Sequence, residues 1–164
     1  MKVKTLSLLA LFIALAVVGA AIKVPAVVGS VALDTFPALL ATVLIGSGAG
    51  AIVAAGGHLI SALFGGMPLG PMHFLVALEM SLIVFFFGAL YRKGKKYMAA
   101  IWFVLSNTLL APLPFLFLMG MGFYMAIVPS ILIGSLINIV VSFLLIPRVA
   151  QFFVPSLLEG TMKS

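Results

Sequence analysis

Long apolar runs almost empty of ionisable side chains constrain this sequence more than anything else in it. The stretches 5–22, 49–64, 72–91 and 121–146 hold between them one acidic residue, Glu79, and two histidines, His58 and His73. A helix in water needs a polar face, whereas one that is apolar all round is buried in protein or in lipid. A membrane-spanning helix takes about 20 such residues. The composition agrees, with 65% of residues hydrophobic and 7% charged, where a water-soluble domain carries about half and a quarter. At 164 residues, the sequence has length for about six spans and short loops. That leaves none within it for a folded ATPase or large catalytic domain.

The chain has no cysteine, which excludes disulfides, thiolate chemistry and Cys-ligated zinc. Nine basic residues against three acidic ones give a net charge of +6. In a membrane protein such an excess marks cytoplasmic loops. There is no basic stripe with interleaved aromatics, so nucleic-acid binding is not expected.

The expected fold is an all-α membrane protein with six transmembrane helices in one bundle. The spans fall at about 5–22, 32–45, 49–64, 72–91, 97–114 and 121–146, forming one domain over residues 1–164. The first run also has features of a signal peptide, with Lys2 and Lys4 before it and small residues Gly19, Ala20 and Ala21 near its end. Its length and its alanines at helical spacing suit a retained span better. Pro25, Gly29 and Ser30 mark a loop, Gly46-Ser47-Gly48 a turn, and Gly65 to Pro71 a tight turn region. The second run is short for a full crossing. Pro112 and Pro114 disturb the fifth, and Pro147-Arg148 is expected to stop the sixth. With both termini cytoplasmic, Lys2, Lys4, the Arg92–Lys96 cluster, Arg148 and Lys163 lie inside and only Lys23 outside, as the positive-inside rule asks.

Polar side chains at membrane depth cost about 2.5–3.5 kcal/mol for a central Asp or Lys, and they persist facing a bundle interior or a wet cavity. The candidates are Asp34, His58, His73, Glu79, Asn107 and Asn138. His58 and Glu79 lie roughly 12–14 Å below the Gly-Pro turn on neighbouring helices, so a His58–Glu79 pair is expected, as ligand group or as a helix tie. Asn138 reads as an interhelical hydrogen bond, Lys23 as a side chain snorkelling to headgroups, and Asp34 as a pocket carboxylate or a helix cap. The set gathers in the outer half, predicting a pocket open to the outside.

Chemistry for catalysis is missing. There is no phosphate-binding loop, no zinc-protease motif and no built metal site. Gly46-Ser47-Gly48 is a turn rather than a nucleophile elbow. The chain is therefore expected to be a binding or transport protein and not an enzyme. Ala10-xxx-Ala14 and Ala16-xxx-Ala20 are small-xxx-small patterns that let another helix approach closely.

The sequence resembles the substrate-binding S components of energy-coupling factor (ECF) vitamin transporters. The resemblance rests on size, six spans, the AxxxA pattern in the first of them and four stretches. These are Ala32-Leu-Asp-Thr-Phe-Pro-Ala38, Gly57-His58-Leu-Ile-Ser61-Ala62, Pro68-Leu-Gly-Pro-Met-His73 and Ala77-Leu-Glu79-Met80, which look like the branch linked to alpha-ribazole, a cobalamin building block. It implies a subunit of the prokaryotic cell membrane that captures a vitamin-like small molecule from outside. A transmembrane coupling protein and two ATPase subunits then join it, and it topples to deliver the ligand. ATP is used by those partners, and the chain itself needs no cofactor. By position, Ala10 and Ala14 match the contact to the coupling protein, with Ala16/Ala20 a competing register. For a nucleoside-like ligand, aromatic walls from Phe36, Phe64, Phe74 and Tyr124 suit the base. Asp34, His58, Ser61, His73, Glu79 and Asn107 supply polar groups for the ribose. The alternatives are an S component for riboflavin or a queuosine precursor, a self-sufficient proton-coupled carrier using Glu79 or Asp34, and an intramembrane hydrolase.

Overall fold

A computed structural model describes residues 3–25 and 30–161, with side chains up to Gln151. Lys2, Lys163 and loop residues 26–29, including Gly29, lie outside the described residues. Among the described residues, five helical segments are long and apolar enough to cross a membrane. They are α1 (Val3–Ala21), α3 (Ser47–Phe64), α4 (Met72–Arg92), the composite segment Lys96–Met119, and α7 (Met121–Thr161), of which Met121–Gln151 forms the apolar span. Large apolar side chains such as Leu6, Leu63, Phe85, Ile101, Leu136 and Leu144 point outward, as lipid-facing surface requires.

The second expected span is corrected. Residues 32–45 begin in a short strand and continue as α2 (Phe36–Leu44), a helix of nine residues and about 13 Å. That is less than half a hydrocarbon core. Pro37 to Thr42 and Leu44 are all buried, because α2 is enclosed by α1, α3, α4 and α7. Its apolar composition reflects burial in protein rather than in lipid. Before it, β1 (Lys23–Pro25) pairs antiparallel with β2 (Ser30–Ala32), in the register Lys23↔Ala32, Val24↔Val31 and Pro25↔Ser30. Among the described residues this small sheet is the one departure from the all-α expectation.

Close approaches of backbone fix how the elements stack. Leu33 N–H donates to Gly19 O at 3.2 Å, and a β-carbon on Gly19 would overlap the Leu33 carbonyl oxygen. Gly57 meets Ala16 so closely that a β-carbon there would stand 2.6 Å from the Ala16 methyl. The Ala16 register is therefore an internal contact between α1 and α3. The turn after α2 passes through Gly46 at φ 149°, a backbone conformation that favours glycine.

Proline disturbs the fifth crossing as expected but does not end the last one. Pro112 and Pro114 have no N–H to donate, and the composite segment responds by breaking into α5 (Lys96–Leu105), a π-helical turn (Ser106–Leu110) and α6 (Leu113–Met119). Ala111 N–H donates to Ser106 O at 2.9 Å, a five-residue step. Tyr124 O–H donates to the Leu109 carbonyl at 3.1 Å. Pro147, by contrast, does not stop α7. The helix continues through it to Thr161, and the Arg148 guanidinium donates to Leu144 O at 2.6 Å; a helix in lipid tolerates proline where neighbouring groups take up freed backbone.

Candidate functional site

Asn138, in the middle of α7, organises the floor of the site. Its Oδ1 accepts from the N–H groups of Thr35 (3.1 Å) and Phe36 (2.8 Å), and its Nδ2 donates to Ala32 O (3.0 Å) and Gly134 O (2.9 Å). The free amides at the start of a helix need an acceptor. Here it comes from another helix, since Thr35 makes no side-chain cap bond. The interhelical role read from the sequence holds. Asp34 is thereby released from capping. Its Oδ1 accepts from the Thr35 hydroxyl at 3.0 Å.

Above this floor lies a cavity of about 250 Å³. Asp34 and Thr35 border it below, His58 and Leu69 at one side, and α4, the π-helical turn, α6 and α7 enclose the rest. Val76, Met80, Ile127 and Ile131 give it an apolar lining, and the rings of Phe115 and Phe123 stand 6.2 Å apart on its wall. The π-helical turn brings Asn107 to the edge. Asn107 Nδ2 donates to Ser135 Oγ at 2.8 Å, and that hydroxyl donates onward to Ile131 O at 2.8 Å. The Ser135 proton is thus committed, Asn107 must offer its N–H₂ to Ser135, and its Oδ1 is left as an acceptor.

Beside the cavity is a wider cleft of about 700 Å³ between α1, β1, α3 and the 65–71 turn. Lys23, Ser61, Phe64 and His73 line it, and Asp34 and His58 border both spaces. The expected His58–Glu79 pair is not formed. His58 Nε2 lies 3.1 Å from His73 Nδ1, and the two rings are 5.2 Å apart. His73 begins α4 on the same face as Val76 and Met80, while Glu79 sits one residue, about 100°, from that face. Glu79 Oε2 is enclosed without a hydrogen-bond partner among the described residues, as is Ser61 Oγ.

Of the residues singled out from sequence, Asp34, His58 and Asn107 line the cavity; Ser61, Phe64 and His73 line the cleft with Asp34 and His58. Phe36, Glu79 and Tyr124 border neither space. Phe36 contributes its backbone amide to Asn138, and Tyr124 turns to Leu109. Sequence reasoning missed Phe115, Phe123 and Ser135. A signal for the last two exists: counting back from Asn138 by three and four residues gives Ser135, Ile131, Ile127 and Phe123, one helical face.

On α1, Ala10 and Ala14 are exposed on the face opposite Leu9, Phe12 and Ala16. No curated protein matches the chain. The family model described as "ECF transporter, substrate-specific component" matches residues 4–150, from the start of α1 to the end of the apolar part of α7. The match spans every helix that builds the cavity, and the chain belongs to the family of ECF transporter substrate-specific components, multi-pass proteins of the prokaryotic cell membrane that bind a small substrate and work with an energising module rather than as enzymes.

Proposed function

We propose that the cavity captures a nucleoside-like vitamin precursor from outside the cell, with alpha-ribazole as the ligand. The observation that carries this is the pairing of an aromatic wall, Phe115 and Phe123, with two acceptors, the Asp34 carboxylate and Asn107 Oδ1, around one cavity. A flat base suits the wall, and ribose hydroxyls are donors that want acceptors. A cavity of about 250 Å³ lies at the small end of ligand pockets, which favours a compact riboside over a larger vitamin such as riboflavin. Among the described residues no cluster of basic side chains lines the cavity, which favours an unphosphorylated ligand. His58 adds a polar group at the boundary, while Ser61, Phe64 and His73 border the approach through the cleft.

The cavity end faces outward in this proposal. Tyr91 stacks edge-on with Phe143, so the Arg92–Lys96 cluster and Arg148 share the opposite end, which the positive-inside rule assigns to the cytoplasm. The partners are a transmembrane coupling protein, docking on Ala10 and Ala14, and two ATPases whose hydrolysis of ATP drives toppling and release.

Isothermal titration of the purified chain with alpha-ribazole, riboflavin and a queuosine precursor tests the assignment. Alpha-ribazole should bind alone. Asp34→Asn should weaken it about ten- to hundredfold, the range for a hydrogen bond to a charged group, and Glu79→Gln should have the smaller effect. Binding of another vitamin, or equal losses in the two variants, would overturn the ligand or the site respectively.

A further inference from the structure

Two imidazoles meet where the cavity adjoins the cleft, and a backbone amide decides where their protons sit. Leu69 N–H, in the turn between α3 and α4, donates to His73 Nε2 at 3.3 Å. A backbone N–H can only donate, so His73 Nε2 carries a lone pair, and the proton of that neutral ring is on Nδ1. His73 Nδ1 lies 3.1 Å from His58 Nε2 and therefore donates to it. His58 Nε2 is then the acceptor, and the His58 proton resides on Nδ1. No described residue accepts that proton, and Nδ1 is not among the enclosed polar atoms left without a partner. Nδ1 is therefore not sealed off, and His58 borders both the cavity and the cleft.

We infer that His73 is a positioning residue that fixes His58 as its Nδ1–H form, so that the site presents one directed donor and selects a ligand carrying a hydrogen-bond acceptor. The chain Leu69 → His73 → His58 has a single direction. An imidazolium at His73 would set N–H against the Leu69 amide, and one at His58 would set N–H against His73. The charged groups bordering the same spaces are Asp34 and Lys23. The wall thus offers two acceptors, Asp34 and Asn107 Oδ1, and, beside the second N–H of Asn107, the directed donor of His58. A benzimidazole riboside answers the two acceptors and the His58 donor, with hydroxyl donors on the sugar and a bare ring nitrogen on the base. This match deepens the ligand proposal and rests on it, whereas the proton positions do not.

Nitrogen-15 NMR of the histidine-labelled, ligand-free protein in micelles reads the proton positions directly. Both rings should show N–H at Nδ1 and a bare Nε2, and His73→Phe should release His58 to a mixture of the two neutral forms. A protonated Nε2 on His58 in the unmodified chain would overturn the inference. The second measurement compares alpha-ribazole with an analogue in which the bare ring nitrogen is replaced by C–H. The unmodified chain should prefer alpha-ribazole about tenfold, and His58→Ala should bind the two equally. In His73→Asn the amide nitrogen takes the place of Nδ1, so the preference should survive, whereas His73→Phe should lose it. Equal binding of both compounds by the unmodified chain would overturn the selection of an acceptor. Failure of alpha-ribazole to bind at all, with the proton positions as expected, would overturn the ligand assignment alone.

Discussion

Asn138 uses both lone pairs and both N–H groups on the protein, so although it borders the cavity it has nothing left to give a ligand. Asn138→Ala removes the acceptor for two amides at the start of α2, of which the Thr35 bond is fully buried. A buried donor left unpaired costs about 1–3 kcal/mol. The variant should therefore lose stability by about 2–4 kcal/mol, less than full additivity because the two amides share one acceptor. Thermal unfolding in detergent without ligand would show this as a lowered midpoint, and an unchanged midpoint would mean that the cap is dispensable. Asn138 was legible as a structural residue because an amide deep in an apolar run must be satisfied internally. The His58–His73 pair was not. Sequence spacing put His58 and Glu79 at matching depth, but depth says nothing of rotation, and His73 reaches inward from the first turn of the same helix.

At the scale of elements, the apolar runs match α1, α3 and α4 to within two residues at each end, since only a helix satisfies its own backbone in lipid, whereas the fifth is broken and α7 runs well past its expected end. The failures have one cause: an apolar run does not say what surrounds it. Residues 36–44 are apolar because protein encloses them, and hydropathy reads that as lipid. Likewise Pro147 looks like a terminator, yet α7 continues through it to Thr161. Gly19 matters at this scale because β2 and α2 are joined across it. Gly19→Ala forces the Leu33 carbonyl away from α1, and overpacking against backbone costs about 1–3 kcal/mol. The expected outcome is a less stable protein that also binds ligand more weakly, because Ala32 and Asp34 move with Leu33. Loss of stability with unchanged affinity would separate this crossing from the site.

For the whole molecule, α1 has two faces with two uses. One buries Leu9, Phe12, Ala16 and Gly19 against the bundle, and the other leaves Ala10 and Ala14 bare. Small residues permit close helix contact in lipid, so the bare face is available to another protein. Ala10→Leu with Ala14→Leu should leave ligand affinity unchanged and abolish recovery of the coupling protein on co-purification, together with uptake. Ala16→Leu should do the reverse, destabilising the chain where it meets Gly57. If the first pair lowers the unfolding midpoint as much as the second, the bare face is not a docking surface.

The short length of α2 reaches beyond its own packing. Among the described residues, one rod of six stops before crossing, and the hollow it vacates is the cavity proposed for the guest. Capacity is then governed by where that rod begins: an added turn would raise the base of the hollow, and a lost turn would deepen it. A lineage could retune the size of its cargo at this single start point while the bare face of α1 stays as it was.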